Sequence, residues 1–236
     1  MDSAGWPKLE SGCPTRQAIE NYSLAIFKAN LFSPLITYTL VKKSLNFVGL
    51  SGSLRQASYS TAVLDAFGKQ LLSRGHALDC LNIGDFPHYN QDIEEAALPE
   101  VVAHGRSLVE RSDGVVIVTP EFNHGIPGVL KNTLDWMSRP AFASCFQGKP
   151  VIFCTISPGA LGGVRTQYQL RETLSSMLCE VVPMPEIVIP HVNKKFENGV
   201  FADQPTLDFI SSSIGRLIDA INRTRAIRDH EALVAA

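Results

Sequence analysis

The sequence predicts an α/β fold in which a doubly wound parallel sheet carries helices on both faces. Short, uncharged apolar runs alternate along the chain with stretches whose apolar residues recur at three- and four-residue spacing. The apolar runs suit strands buried on both faces, and the recurring spacing suits amphipathic helices. Strands separated by helices form parallel sheets, and right-handed crossovers restrict these to a few doubly wound arrangements.

The elements are predicted from Leu45 onward, in one domain without an internal repeat. The predicted strands are apolar and bounded by turn residues: Leu45–Leu50, Ala77–Ile83, Gly114–Thr119, Val151–Ile156 and Glu186–Ile189. The predicted helices are amphipathic: Ala62–Leu71, Pro99–Val109, Val129–Arg139, Val164–Cys179 and Leu207–Ile227. Lys131 and Asp135, four residues apart on one of these helices, are predicted to form a surface pair.

The composition is typical of a globular protein and argues against several other classes. Of the 236 residues, 45% are apolar and 19% are charged, which excludes a disordered chain. The 21 basic and 23 acidic side chains leave a net charge of −2, so no basic excess predicts nucleic-acid binding. Scattered histidines and five scattered cysteines predict neither a metal site nor a disulfide framework, and they favour a reducing, cytoplasmic location.

Residues 1–43 differ from the rest of the chain. We expect them to form a disordered or loosely packed extension, or to lie upstream of the natural domain. Their acidic residues argue against a mitochondrial transit peptide. The moderately apolar stretch 22–41 is interrupted by a lysine, an asparagine and a proline, so it predicts no membrane span. The folded domain is therefore expected at residues 44–236.

The chemistry is expected in the loops after the first, third and fourth strands, because open α/β sheets bind ligands beyond the carboxyl ends of their strands. The first loop, Ser51–Ser60, supplies hydroxyls, a guanidinium and free amides at a helix N-terminus, which suits a phosphate dianion. It contains neither G-K-[ST] nor G-x-G-x-x-G, which argues against nucleotide hydrolysis and a Rossmann turn. A helix start capped by Ser58 or Ser60 explains the same residues equally well.

The loops after the third and fourth strands, 119–128 and 157–163, are rich in proline and glycine. The former suits the presentation of backbone amides to a flat heterocycle, whereas the glycines of the latter allow close approach of a ligand or a tight turn. Spacing alone does not make Glu121 and His124 an acid–base pair, because solvated loop residues explain them as well. Together the three loops indicate an FMN-type site on a flavodoxin-like sheet.

Three motifs in these loops resemble those of the NADPH-dependent FMN reductases, a flavodoxin-like group that includes chromate, quinone and azo reductases. They are Gly52-Ser53-Leu54-Arg55-x-x-Ser58, then Thr119-Pro120-Glu121-Phe122-Asn123 with Pro127-Gly128-x-Leu130-Lys131-Asn132-x-x-Asp135-Trp136, and Gly162-Gly163-x-Arg165. The resemblance runs from about Leu45 to the C-terminal helix. It implies a five-stranded sheet of order 2-1-3-4-5.

The resemblance also implies FMN as the cofactor, with NADPH or NADH as co-substrate. The residues expected at the phosphate are Ser53, Arg55, Ser58, Ser60 and Thr61, and those expected beside the isoalloxazine are Pro120, Glu121, Phe122, Asn123, Ser157 and Gly159. Tyr89 and His124 are expected to line the substrate pocket, although packing explains Tyr89 equally well. The family commonly has asparagine where Ser60 stands and tyrosine where Phe122 stands.

By this resemblance we expect an enzyme that passes a hydride from NAD(P)H through FMN to a quinone, an azo compound, a chromate-like oxyanion or free flavin by a ping-pong mechanism. No side chain is expected to act as a covalent catalyst, because the flavin carries the chemistry. The family implies a homodimer or homotetramer, and the helix that carries Arg165 and Tyr168 is our hypothesis for its interface.

Two other functions remain open from the sequence. The first is a flavodoxin-like electron carrier that does not react with pyridine nucleotides. Such carriers are usually strongly acidic, so the near-zero net charge argues against this function. The second is a non-catalytic protein with a decayed flavin site, for which the departures at Ser60 and Phe122 are the support.

Overall fold

A parallel sheet forms the centre of the computed structural model, which describes residues 44–235. The extension expected at residues 1–43 lies outside the described residues. The strands are β1 (Asn46–Ser51), β2 (Ala77–Leu81), β3 (Gly114–Pro120), β4 (Pro150–Ile156), β5 (Glu180–Val181) and β6 (Ile187–Ile189). Their order is β2-β1-β3-β4-β5, with β6 also paired to β4. The predicted flavodoxin-like, doubly wound fold is thereby confirmed.

The fifth position of the sheet holds two short strands, where the sequence predicted one at residues 186–189. β5 pairs with the start of β4, and β6 pairs with its end. Pro183 and Pro185 lie between the two strands, and a proline has no N–H to donate to a ladder. The five predicted positions of the sheet are therefore confirmed, and the fifth is shared by β5 and β6. A two-residue strand such as β5 has no pattern that a sequence could show.

Within residues 44–235, the α-helices beside the sheet are α1 (Tyr59–Ser73), α2 (Gln91–Ala96), α3 (Glu100–Arg111), α4 (Gly128–Met137), α5 (Val164–Ser176) and α6 (Gln204–Ala235). The short α2 was not predicted, and α6 is longer than expected at both ends. A small antiparallel hairpin of β7 (Phe196–Glu197) and β8 (Val200–Phe201) was not predicted either. Between residues 44 and 235, no helix is long and apolar enough to cross a membrane.

The sheet separates two apolar clusters. Along β3, Val116 and Val118 face the cluster covered by α1 and α6, whereas Val115 and Ile117 face the cluster covered by α3, α4 and α5. All four side chains are fully buried. Burial of both faces explains why the strands are continuous apolar runs without alternation.

Candidate functional site

The loop between β1 and α1 ends in a helix cap. The Ser58 hydroxyl oxygen accepts a hydrogen bond of 3.4 Å from the Thr61 N–H, so the predicted cap at Ser58 is confirmed. The hydroxyls of Ser51 and Thr61 lie 2.9 Å apart and tie the end of β1 to the first turn of α1. Within residues 44–235, the N–H groups of Tyr59 and Ser60 find no acceptor. These donors remain available to an anion at the N-terminus of α1.

Arg55 is the cation of this loop. Its guanidinium donates to the Ala57 carbonyl oxygen at 2.7 Å and lies 5.7 Å from the centre of the Tyr59 ring. Arg55 is exposed, whereas the side chains of Ser58 and Ser60 are buried, with exposed fractions of 5% and 1%. The loop therefore offers a guanidinium and main-chain N–H groups to solvent, while these two serines face inward.

A tight turn follows β3. Phe122 and Gly125 exchange two main-chain hydrogen bonds, of 3.1 and 2.9 Å, and close a two-residue turn over Asn123 and His124. Both turn residues have left-handed backbones, with φ of 48° and 65°. The Phe122 side chain is 57% exposed beside the turn. These hydrogen bonds, together with the flanking Pro120 and Pro127, restrict the conformations of the loop.

The carboxylate of Glu121 points away from this turn to the start of α5. Its Oε2 accepts hydrogen bonds from the N–H groups of Arg165 at 3.0 Å and Thr166 at 3.3 Å. The Arg165 guanidinium lies 3.6 Å from its other oxygen, and the Glu121 side chain is 12% exposed. A carboxylate at a helix N-terminus is stabilised by the free N–H groups and the helix dipole. Sequence reasoning missed this cap because its partners are 44 and 45 residues away.

The loop between β4 and α5 makes one hydrogen bond within itself and others to the segment after β6. The Ser157 hydroxyl oxygen accepts from the Gly159 N–H at 3.0 Å, and the Ser157 carbonyl oxygen accepts from Val192 N–H at 3.0 Å. Gly162 has a φ of 58°, and a β-carbon there would lie 2.4 Å from a methyl group of Val188. The loop therefore requires glycine at position 162, both for its backbone conformation and for space.

Tyr89 packs on α4. Its ring meets that of Trp136 edge to face at 4.9 Å, and its main-chain N–H donates to the side chain of Asn132 at 2.8 Å. Its hydroxyl donates to Glu94 at 3.1 Å. The packing explanation of Tyr89 therefore has direct structural support, and its place in a substrate pocket stays a prediction.

The sheet brings the three predicted loops to one edge. Ser51 at the end of β1 pairs with Val118 of β3, and Pro120 at the end of β3 pairs with Ile156 of β4. Of the predicted site residues, all but Tyr89 belong to these loops or to the first turn of α1. Within the described part of the chain, no group of three or more His, Cys, Asp or Glu residues could hold a metal ion.

Comparison with known proteins agrees with this geometry. Residues 45–194 match the family model of the NADPH-dependent FMN reductases. A quinone reductase of Pseudomonas putida is 36% identical over 176 residues, which are 75% of this chain and 94% of that protein. An NAD(P)H-dependent FMN reductase of Pseudomonas aeruginosa is 33% identical over 77% of this chain and 97% of that protein.

A solved structure shares the fold. The flavoenzyme NAD(P)H:(acceptor) oxidoreductase FerB from Paracoccus denitrificans superposes with a TM-score of 0.68 and 30% sequence identity. The superposition covers 76% of this chain and 98% of that one. The chain therefore belongs to the NADPH-dependent FMN reductase family and is an oxidoreductase that uses FMN and NAD(P)H.

Proposed function

We propose that this reductase carries electrons from NAD(P)H to a quinone, an azo compound, a chromate-like oxyanion or free flavin, with donor and acceptor using one site in turn (a ping-pong mechanism). The observation that carries the proposal is the meeting of three loops at the carboxyl ends of β1, β3 and β4. FMN, when bound, supplies the chemistry, because it accepts a hydride and passes the electrons on. The chain supplies binding and orientation.

The residues at the N-terminus of α1 fit the phosphate of FMN. The proposed phosphate set is Ser53, Arg55, Ser58, Ser60 and Thr61. Arg55 contributes positive charge, and the N–H groups of Tyr59 and Ser60, which find no acceptor among residues 44–235, contribute hydrogen bonds. Because the hydroxyls of Ser58 and Ser60 belong to buried side chains, we assign these two residues a main-chain role.

The other two loops fit a flat ring. The proposed ring set is Pro120, Glu121, Phe122, Asn123, Ser157 and Gly159. The main chain of the rigid turn after β3 lies at one strand end, and the hydrogen-bonded loop after β4 lies at the next. The exposed Phe122 side chain can exclude water from the ring, and His124 at the tip of the turn is proposed to face the acceptor. A hydride donor and a hydride acceptor that are held about 3–3.5 Å apart react quickly, so the transfer needs no covalent side-chain catalyst.

An absorbance spectrum tests this function. Purified protein supplied with FMN should show bands near ~370 and ~450 nm that bleach when NADPH is added without oxygen, and a quinone should restore them. A flavin that stays oxidised would contradict the reductase function and favour an electron carrier.

Arg55→Gln tests the phosphate site. It should weaken FMN binding at least tenfold because it removes a charge-assisted contact, which contributes about 1.5–3 kcal/mol. Lys131→Gln, which breaks only the predicted and observed surface pair with Asp135, is the matched control.

We further propose a homodimer or homotetramer in which α5 contributes to the interface. Tyr168 is 64% exposed and the Arg165 side chain is 47% exposed, one turn apart on this helix. An exposed aromatic residue beside an arginine is typical of an interface. Light scattering should show an oligomer at micromolar protein that Tyr168→Ala weakens and that Lys131→Gln, at an exposed position on α4, leaves intact. A wild-type monomer would contradict the proposal.

We place the enzyme in the cytoplasm with small molecules as its partners. In the described part of the chain, Cys80, Cys145, Cys154 and Cys179 are all free, which suits a reducing compartment. Cell fractionation tests this location.

We also propose that the enzyme prefers NADPH to NADH as its hydride donor. Measuring kcat/KM for each of the two donors tests this preference.

A further inference from the structure

We propose that Glu121 is a positioning residue whose side chain connects the two loops beside the flavin. Gln169 makes a second connection between the same elements. We call these two sets of hydrogen bonds the ties. The proposal rests on the proposed function, because it concerns two of the three loops of the proposed flavin site. It assigns a role to the Glu121 carboxylate that differs from contact with the cofactor.

The first tie runs from the turn after β3 to the start of α5. The Glu121 carboxylate accepts from two main-chain N–H groups of α5, at 3.0 and 3.3 Å, and its side chain is only 12% exposed. Gly163, just before α5, has a φ of 83°, and a β-carbon there would lie 3.1 Å from the β-carbon of Thr155, so the start of α5 lies close against the end of β4. The hydrogen bonds to Glu121 are charge-assisted and partly shielded from water, so they are stronger than hydrogen bonds between neutral groups.

The second tie runs in the opposite direction, from α5 back to the turn. The Gln169 side-chain oxygen accepts from the Ile126 N–H at 3.0 Å. A β-carbon at Gly125 would lie 2.6 Å from that oxygen, so the contact requires glycine at this position. Gln169 is exposed, and its single neutral bond is the weaker of the two ties.

The two ties hold the turn at both of its ends. Glu121 precedes the two-residue turn of Asn123 and His124, and Ile126 follows it. The loop 157–163 leads directly into α5, so a helix start fixed by Glu121 also fixes the end of this loop. Loss of the ties should therefore loosen both loops, while the main chain of Glu121, which belongs to the proposed ring set, stays in place.

Hydrogen exchange on the FMN-free protein and FMN titration of the same samples test the proposal. Glu121→Ala should raise exchange at the Arg165 amide about tenfold and weaken FMN binding about tenfold, since it removes the oxygen that accepts from this amide. The Thr166 amide also donates to the Gly163 carbonyl oxygen at 3.1 Å, so its exchange should rise less. Glu121→Gln keeps one acceptor oxygen and should stay within about threefold of wild type in both measurements. Gln169→Leu should raise exchange at Ile126 alone, and Gln169→Glu, which retains an oxygen acceptor, should restore it. Asp135→Ala, which removes an exposed carboxylate from α4, is the control and should change neither.

The outcomes separate positioning from direct contact. Weaker FMN binding in Glu121→Ala with unchanged exchange would overturn the proposal in favour of a direct flavin contact. Unchanged exchange and unchanged binding would overturn it as well. If Glu121→Ala does not fold, Gln169→Leu provides the test. Faster exchange at Ile126 would support the proposal, and unchanged exchange there would overturn it. If wild type binds no FMN, the proposed function fails, and exchange in the free protein still shows whether the ties exist.

Discussion

Gly52 and Thr119 approach so closely that no side chain fits between them. A β-carbon at Gly52 would lie 2.1 Å from the Thr119 hydroxyl oxygen and 2.6 Å from its β-carbon. Thr119 is fully buried, and the Gly52 N–H donates to the neighbouring Val118 carbonyl oxygen at 2.8 Å. The point between β1 and β3 at which the strand order reverses is therefore held by direct contact of a loop with a strand.

Gly52→Ala should disrupt this contact. Because the added methyl group must displace a buried side chain, we expect a loss of about 1–3 kcal/mol in the free energy of unfolding and weaker retention of FMN. Chemical denaturation and FMN titration measure the two effects. Gly128→Ala is the control: a β-carbon there meets nothing within 4 Å, so it should be neutral or slightly stabilising. Equal stabilities of the two variants would contradict the prediction.

Introducing the two residues that are common in the family should affect stability to different extents. Ser60 is 1% exposed, so Ser60→Asn must fit a larger side chain into a closed space and should cost about 1–3 kcal/mol. Phe122 is 57% exposed, so Phe122→Tyr should change stability by less than about 0.5 kcal/mol. Thermal unfolding of both single variants checks the contrast. An unchanged Tm for Ser60→Asn would show that the pocket of Ser60 has room.

The sequence was informative where burial is continuous. β1, β3 and β4 lie within one residue of their predicted bounds, because strands buried on both faces are uninterrupted apolar runs. The short α2 was missed because it is polar, contains no buried residue and shows no period. The hairpin of β7 and β8 has an Asn198-Gly199 turn, with φ of 49° and 79°, and this dipeptide is a strong signal for a hairpin.

The positions of the site loops followed from strand order, but the direction of individual side chains did not. The Ser58 cap was predictable because its donor is three residues away. The Glu121 carboxylate meets α5 across 44 residues of chain, and the packing of Tyr89 on Trp136 spans a similar separation. Such contacts depend on how elements pack, which a local pattern does not encode.

The cysteines should differ sharply in reactivity. Burial raises the pKa of the Cys145 thiol to about 11 and that of Cys179 to about 12, and burial also raises the pKa of the fully buried Cys154. Cys80 is exposed. Because the thiolate is the reactive form, iodoacetamide at pH 8 should label Cys80 first and the other three only after unfolding. Mass spectrometry of a Cys13→Ser variant, which removes the cysteine outside the described residues, checks the order. Rapid labelling of Cys145 would contradict it.

Stability in acid should depend on Glu94. This carboxylate, 16% exposed, accepts hydrogen bonds from Arg106 at 2.7 Å and from Tyr89 at 3.1 Å. Burial alone would raise the pKa of Glu94, but these hydrogen bonds outweigh it and hold the pKa below its ordinary value. A carboxyl whose pKa is lowered by folding stabilises the protein above the unfolded pKa of about 4.3, and this stabilisation is lost as the pH falls through the folded pKa.

Glu94→Gln should therefore be less stable than wild type at pH 7 by about 1.5–3 kcal/mol, and the difference should shrink as the pH falls from 5 to 3. Urea denaturation at several pH values measures it. Glu172→Gln, at an exposed position on α5, should match wild type throughout. A difference that stays constant from pH 7 to pH 3 would mean that Glu94 acts through shape alone. A difference in the free energy of unfolding that shrinks as the pH falls would show that protonation of Glu94 weakens the contact between α2 and α3 in acid.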